Sequence, residues 1–403
     1  MKTLHKTLGA LLAALPLLAP VAARAAAAPP IQIAHVYGKS GPLAVYGDQI
    51  QRGLELGLDY ATQGTGEVLG RKLVLRVFDD QGKAGRARAL VQQEMADPQV
   101  ALVTGPVNSG NDLAVLPLAA QYHKIILPEG VADSITGKDF NPYVFRIGRN
   151  SSQDAIAQAL ALGGKGVCAS VLAPDYAFGH DGAAAFKTAL QGVGGRVISE
   201  EFLPGNTTDF TAGGERLINA LKGASGCSSK DIFVIWAGAA NPFGGLQALN
   251  PQAAGIHITS GGNILQALAL YKPVVGMQGA AYYYFKLPHN PVNDWLVAEH
   301  FKRYKSPPDF FTCEGFAEAQ AIVAALRKAG STSTPALMKA LAGLRFESPK
   351  GEITIRPQDH QAMQDMYHFE VVLDPAATFS GGVALKLVNV IHASQMHVPI
   401  ENR

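Results

Sequence analysis

Short apolar segments of strand length alternate with segments of helical spacing along most of this 403-residue chain. Such alternation is typical of βαβ units, in which parallel strands form a sheet with helices packed on its faces. One series ends near residue 147 and a second follows it. The pattern predicts an α/β protein with two doubly wound parallel sheets, whose strands are expected at 31–36, 73–78, 100–103, 125–127, 168–172, 195–202, 232–236 and 256–259.

The last third of the chain departs from this alternation. Helices are expected at 294–304, 317–328 and 335–341, and strands at 279–285, 351–355, 366–373 and 384–390. We expect these segments to return to both sheets, so that the two units exchange chain more than once. Ligands of doubly wound sheets bind beyond the carboxyl ends of the strands, and the loops that follow the strands are therefore the candidate site.

The first residues have the composition of a secretory signal peptide, expected over 1–26. Basic residues precede an apolar stretch at 8–22, and 23–25 fits a small-x-small cleavage site. Its removal takes away three basic residues and changes the formal net charge from +2 to −1. A nearly neutral mature chain has no electrostatic reason to bind nucleic acid or anionic lipid. We expect an exported protein that is free of the membrane.

The turn Asn108-Ser109-Gly110 joins an apolar strand to a segment of helical spacing. This arrangement places backbone N–H groups and the Ser109 hydroxyl at a helix N-terminus, which favours an anion such as a carboxylate. The alternative is that Asn108 or Ser109 merely caps the helix. Both interpretations fit the residues of the turn.

Several chemistries are excluded by spacing. Gly38-Lys39-Ser40 resembles the end of a P-loop, but Ile33 stands where that motif needs a glycine. The sequence contains no GxSxG motif, no HExxH motif and no recognisable nucleophile with its base. We therefore expect no catalytic residue, no metal and no cofactor.

Two of the three cysteines are candidates for a disulfide. Cys168 begins an expected strand, and Cys227 lies five residues before another. If these strands are neighbours in a parallel sheet, their amino-terminal ends lie side by side, and an oxidising compartment permits the bond. Both cysteines could equally remain as thiols. Cys313 is then left over, as a small buried residue.

Four ordered segments resemble the leucine/isoleucine/valine-binding group of periplasmic binding proteins, the type I solute-binding components of ABC transporters. They are SGPLAVYGDQIQRG (40–53), VLGRKLVLRVFDDQG (68–82), VTGPVNSG (103–110) and EEFLPGNTTDFTA (200–212). The resemblance implies two lobes joined by three crossovers, with hinges near Gly148, Met277 and Pro349. The first lobe would comprise 31–147 and 285–348, the second 148–284 and 349–400, and the ligand cleft would lie between them.

The resemblance also implies which residues contact the solute. In the first lobe, Asn108-Ser109-Gly110 would hold its carboxylate, Glu129-Gly130-Val131 would offer backbone groups, and Tyr46 would line the pocket. In the second lobe, Phe178 matches an aromatic position of the family, with Tyr176 nearby. Ala239 and Asn263 lie in loops that would reach the ligand.

The solute itself stays open between two classes. Amino-acid binders of this group place an acid near Gly261-Gly262 to pair with the ammonium, and here Ser260-Gly261-Gly262-Asn263 contains none. A desolvated ammonium without a counter-charge is costly. Either Glu129 or Asp175 replaces the missing acid, or the solute is an aromatic or aliphatic acid without an ammonium.

The function expected from this resemblance is solute binding, without catalysis, for a membrane permease of an ABC importer. The solute would be a small carboxylate, gripped by lobe closure, and the protein would be a monomer. A sensory protein that presents the same cleft to a membrane receptor is the alternative, because it shares the binding chemistry and differs only in its partner.

Overall fold

The computed structural model describes residues 1, 28–238 and 240–402. The expected signal peptide (1–26), Met1 apart, and the expected ligand contact Ala239 lie outside the described residues. Two large sheets of mainly parallel strands are flanked by helices. The α/β class with two doubly wound sheets is thereby confirmed.

The first sheet takes up the beginning of the chain. Its elements are β1 (Ile31–Tyr37), α1 (Ala44–Ala61), β2 (Glu67–Val68), β3 (Arg71–Asp79), α2 (Ala84–Ala96), β4 (Val100–Thr104), α3 (Ser109–Tyr122) and β5 (Ile126–Leu127). The strand order is β2-β3-β1-β4-β5. All neighbours are parallel except β2, which pairs antiparallel with β3 at the edge.

The second sheet follows with four strands in the order β7-β6-β8-β9, all parallel. Its elements are α4 (Ser151–Leu162), β6 (Val167–Pro174), α5 (Ala177–Gly192), β7 (Arg196–Leu203), α6 (Thr211–Gly223), β8 (Ser229–Val234), α7 (Phe243–Ala248), β9 (Ile256–Ser260) and α8 (Leu265–Leu268). Strand β8 ends at Val234, so Trp236 lies in the loop that follows it. The predicted strand 232–236 had included Trp236 and therefore ended two residues too late.

The remaining elements form two antiparallel sheets and three helices. They are β10 (Gln278–Ala281), α9 (Pro291–Tyr304), α10 (Phe310–Ala329), α11 (Thr334–Leu341), β11 (Arg345–Ser348), β12 (Gly351–Ile355), β13 (Ala362–Met363), β14 (Met366–Leu373) and β15 (Val383–Ile391). The sheet orders are β10-β14-β15 and β11-β12-β13. The strand expected at 279–285 ends at Ala281, and the three tyrosines that follow it are buried.

The late elements pack against both large sheets. The apolar core beside the first sheet includes Leu326 of α10 and Leu337 of α11. The core beside the second sheet includes Phe369 and Val371 of β14. Because α10 and α11 serve one core and β14 serves the other, chain from the last third completes both halves of the molecule.

Helices α1 and α10 cross at backbone contact distance. A Cβ atom on Gly53 would lie 2.8 Å from the Phe316 nitrogen, and one on Gly315 would lie 2.9 Å from the Ile50 carbonyl carbon. Cβ atoms do not approach other heavy atoms this closely, so any side chain larger than hydrogen would push the helices apart. The glycines therefore fix the position of α10 over the first sheet.

A disulfide joins Cys168 at the start of β6 to Cys227, two residues before β8. The two strands are parallel neighbours, with Cys168 opposite Lys230, so their amino-terminal ends lie together. Cys313 is buried as a free thiol, and burial raises its pKa. Throughout 28–238 and 240–402, no helix combines the length and apolarity needed to cross a membrane.

Candidate ligand-binding site

A cavity of about 130 Å³ lies beyond the carboxyl ends of strands from both large sheets. A cavity of about 150 Å³ can hold benzene, so this size suits a molecule with one ring or one short branched chain. The loops after β4 and β5 contribute to its wall from the first sheet, and those after β8 and β9 from the second. Eight of the expected contact residues line it: Tyr46, Ser109, Glu129, Gly130, Val131, Tyr176, Phe178 and Asn263.

Ser109 is the first residue of α3 and is only 2% exposed. Its Oγ accepts hydrogen bonds from the backbone N–H groups of Val131 and Ala132, each at 3.2 Å. A serine hydroxyl accepts two hydrogen bonds and donates one. Because the two amides occupy its lone pairs, the hydroxyl keeps its proton for an acceptor in the cavity. This is the geometry that a carboxylate requires.

Asn108 and Gly110 do not line the cavity, which differs from the expectation. The Asn108 side chain accepts hydrogen bonds from the Gly110 nitrogen at 2.9 Å and the Asn111 nitrogen at 3.1 Å. Asn108 is thus the N-cap of α3, the simpler of the two roles considered for this turn. Of the three turn residues, Ser109 alone reaches the cavity.

The loop 129–131 lines the cavity, but its backbone donors are already used, which corrects the expectation that it offers them to a ligand. The amide of Gly130 donates to Asp112 Oδ2 at 2.9 Å, and that of Val131 donates to Ser109. The Glu129 amide donates to the Pro106 carbonyl at 3.1 Å. The loop therefore orients Ser109, and its amides offer no further hydrogen bond.

The Glu129 side chain points into the first sheet. Its Oε1 lies 3.2 Å from Thr104 Oγ1 and 3.2 Å from His35 Nδ1, and the side chain is 0% exposed. Burial raises the pKa of the neighbouring Asp112 and Glu318 carboxyls well above the ordinary range, and the Glu129 charge adds to both effects. The cavity thus has a layer of buried carboxyl groups behind one wall.

Aromatic side chains form much of the apolar wall. Tyr46 packs on Phe311 with ring centroids 4.7 Å apart, and burial raises the pKa of Tyr46 to about 12. On the opposite side, Tyr176 lies 5.8 Å from Phe178 and donates its hydroxyl to the Ala237 carbonyl at 3.1 Å. Trp236 also lines the cavity. These rings offer a flat apolar surface to a ligand side chain.

Two charged residues at the start of α4 line the cavity and were not predicted. Arg149 Nε lies 3.2 Å from Asp154 Oδ2, and Arg149 Nη1 lies 3.1 Å from Glu314 Oε2. The guanidinium is also covered by three rings, the nearest being Phe310 at 4.6 Å. Burial raises the pKa of Asp154, an effect that Arg149 opposes, and raises that of Glu314 to about 7.

The sequence contains a local pattern, a helix capping box, that marks where Arg149 and Asp154 lie. Asn150 and Gln153 form a capping box, with Gln153 N donating to Asn150 Oδ1 at 2.9 Å and Asn150 N donating to Gln153 Oε1 at 3.1 Å. The pattern N-x-x-Q marks the start of the helix that follows Gly148. It fixes Arg149 just before the helix and Asp154 in its first turn, where both reach the cavity.

Asn263 lines the cavity from the loop after β9. Its Oδ1 accepts a hydrogen bond from the Ile264 nitrogen at 2.8 Å, which fixes the side chain in this loop. In the part of the chain that the structure describes, no three His, Cys, Asp or Glu side chains come together as a metal site.

A family model described as "Periplasmic binding protein" matches residues 30–378. The chain belongs to the periplasmic binding protein family. A solved structure of an ABC-type branched-chain amino acid transporter from Rhodopseudomonas palustris is 48% identical, covers 93% of this chain and 100% of that chain, and superposes with a TM-score of 0.82. The protein is thus of the ABC-transporter solute-binding type.

Two further relatives extend the comparison. A Leu/Ile/Val-binding protein of Rhizobium johnstonii is 27% identical over 82% of this chain and 86% of its own length. A solute-binding protein from Rhodopseudomonas palustris, solved with 3,4-dihydroxybenzoic acid, is 23% identical over 92% of this chain and 98% of that chain, with a TM-score of 0.78. At this sequence identity, the likeness to the second protein concerns the fold alone.

Proposed function

We propose that this periplasmic binding protein is the solute receptor of an ABC importer and binds a small carboxylate with an apolar body. The observation that carries the proposal is Ser109, whose hydroxyl is fixed by two backbone amides and keeps its proton for the cavity. The aromatic wall around Tyr46 and Phe178 suits the apolar part of such a solute. The similar protein from Rhodopseudomonas palustris is described as a branched-chain amino acid transporter.

Binding proceeds by closure of two lobes, 31–147 with 285–348 and 148–284 with 349–400, about hinges near Gly148, Met277 and Pro349. Hydrogen bonds across this boundary would hold the two lobes together in the closed form. Asp133 accepts from the Ser152 nitrogen at 3.0 Å and from its Oγ at 2.8 Å, and Asp181 accepts from the Ser134 nitrogen and Oγ at 2.9 and 2.8 Å. A solute that contacts both lobes stabilises the closed form by its contacts with the second lobe.

The proposed location and partner of the protein are inferred from its family and its sequence. The leader at 1–26 directs the chain to the periplasm and is removed, and the mature chain acts as a monomer that passes its solute to a membrane permease. The protein performs no chemistry on the solute. Mass spectrometry of the bound solute after prolonged incubation should therefore recover it unchanged, and appearance of a product would indicate an enzyme.

Tryptophan fluorescence provides a direct test of binding. The chain has two tryptophans. Trp236 lines the cavity, whereas Trp295 packs on Tyr60 at 5.0 Å and Phe316 at 5.9 Å. In a Trp295→Phe variant the emission reports only on Trp236. Titration with branched-chain amino acids and with aromatic acids should give a saturable change, and X-ray scattering should show a smaller radius of gyration.

The matched control is Trp236→Phe, which should lose the fluorescence signal while calorimetry still detects binding. If no carboxylate changes the emission, the melting temperature or the radius of gyration, the cavity is not a solute site and the proposed function is wrong. Binding without any change in the radius of gyration would contradict lobe closure but not solute binding.

A further inference from the structure

One acidic side chain presents open surface to the cavity. The Asp154 side chain is 35% exposed, whereas that of its partner Arg149 is 7% exposed. Asp154 lines the cavity, and burial nevertheless raises its pKa, so its open surface faces this enclosed space and not bulk solvent. Its Oδ2 contacts Arg149, and within the described ranges Oδ1 has no hydrogen-bond donor. A carboxylate oxygen is therefore open to a ligand.

The two acids considered from the sequence do not have this geometry. Glu129 is 0% exposed at its side chain and contacts Thr104 and His35 inside the first sheet. Asp175 does not line the cavity, is 56% exposed at its side chain and pairs with His180 at 2.8 Å. Asp154 remains as the acid that a solute in the cavity would meet.

Arg149 does not present its positive charge in the same way. Two of its nitrogens are held by Asp154 and Glu314, and the ring of Phe310 covers the guanidinium at 4.6 Å. One guanidinium is thus shared between two carboxyl groups. The guanidinium opposes the rise that burial causes in the pKa of Asp154, as the Lys350 charge also does, and it holds the carboxyl group in one orientation through Oδ2.

A short chain of hydrogen bonds links Ser109 to the start of the helix that carries Asp154. Ser109 Oγ accepts from the Val131 nitrogen, and the Val131 carbonyl in turn accepts from the Ser151 nitrogen at 2.8 Å. Ser151 and Asp154 are three residues apart on α4 and so lie on the same helix face, and both line the cavity. A hydroxyl donor and a carboxylate acceptor thus both line the cavity.

We propose that Asp154 receives the ammonium of a solute whose carboxylate is bound by Ser109, so that the protein selects α-amino acids with an apolar side chain over plain carboxylic acids. This inference rests on the proposed function and names its substrate class. Asp154 replaces, from a helix, the acid that the loop Ser260-Gly261-Gly262-Asn263 lacks. A plain carboxylate would place its charge near Asp154 without compensation.

Calorimetry with matched pairs of solutes tests the proposal. Leucine is compared with isocaproate and phenylalanine with hydrocinnamate, since each pair differs only in the amino group. We expect the unmodified protein to bind at least one amino acid about tenfold or more tighter than its deaminated partner, which corresponds to one hydrogen bond between charged groups. The Asp154→Asn variant should lose this preference and bind the deaminated acid as well as or better than before.

The control variant is Asp294→Asn. Asp294 likewise lies in the first turn of a helix, α9, but is exposed and does not line the cavity. It should change neither affinity. Should Asp154→Asn fail to fold, Asp154→Glu moves the charge by one methylene and should weaken amino-acid binding selectively.

Four outcomes would overturn the inference. Equal binding of leucine and isocaproate, and likewise of phenylalanine and hydrocinnamate, by the unmodified protein would leave no ammonium subsite. An unchanged amino-acid affinity in Asp154→Asn would remove Asp154 from it. Binding of plain acids without amino acids would refute the substrate class and leave the proposed receptor function standing, whereas no binding of any carboxylate would refute both.

Discussion

Replacing Ser109 by alanine separates its role in binding from its role in folding. The variant removes the Ser109 hydroxyl proton, and a hydrogen bond to a charged group contributes about 1.5–3 kcal/mol. The dissociation constant for a carboxylate should rise about 10- to 150-fold. The variant also leaves the Val131 and Ala132 amides without their acceptor. The free energy of unfolding should therefore fall by about 1–3 kcal/mol per unsatisfied amide.

Isothermal titration and urea unfolding measure the two effects independently. The control is Ser380→Ala, because Ser380 is also 2% exposed and its Oγ contacts two backbone carbonyls, those of Ala377 and Val383, away from the cavity. It should lower stability and leave affinity unchanged. If Ser109→Ala behaves like this control, its hydroxyl only supports the loop, and the carboxylate binds elsewhere.

Two other variants and the reduction of the disulfide test how the structure supports the site and the second sheet. In Gly130→Ala the new Cβ would lie 2.8 Å from Ser109 Oγ, so melting and titration should show about 1–3 kcal/mol lower stability and weaker carboxylate binding. Reduction of the Cys168–Cys227 disulfide, which spans 59 residues, should lower the unfolding free energy by up to about 4 kcal/mol in urea. Burial raises the pKa of the Glu314 carboxyl from 4.5 to about 7. Because the folded chain binds this proton more tightly than the unfolded chain, the free energy of unfolding should decrease as the pH rises from 4.5 to about 7. The Glu314→Gln variant should show a smaller decrease over this pH range.

The alternation of strands and helices was enough to predict the large sheets because each element has its own periodicity. Strands 31–36 and 100–103 were placed within a residue of β1 and β4. The ends of strands were harder to predict where the residues on both sides of the end are buried. Residues 282–284 are as apolar as a strand, and only the tertiary structure shows that β10 ends before them.

A residue of the candidate site could be predicted where the same residue also begins or ends a helix or strand. Ser109 follows a strand and begins a helix, so its position could be read from the chain. Asp154 escaped because an acid in the first turn of a helix is ordinarily explained by the helix dipole, and Arg149, its ion-pair partner just before the helix, escaped with it. Their contact with the cavity depends on where the crossover places α4, which requires the three-dimensional arrangement of both sheets.

The ion pairs around Arg149 connect the proposed ligand site with the proposed movement of the lobes. Asp154 lies on α4 of the proposed second lobe, and Glu314 lies on α10, which α1 and its glycines fix over the first sheet. Arg149 contacts both acids from the proposed crossover. An ammonium at Asp154 competes with Arg149 for that carboxylate. The guanidinium then depends more on Glu314, so the ligand strengthens a contact between the lobes on which closure depends. A double-mutant cycle between Asp154→Asn and Glu314→Gln should therefore show coupling in amino-acid affinity, and strictly additive effects would contradict this connection.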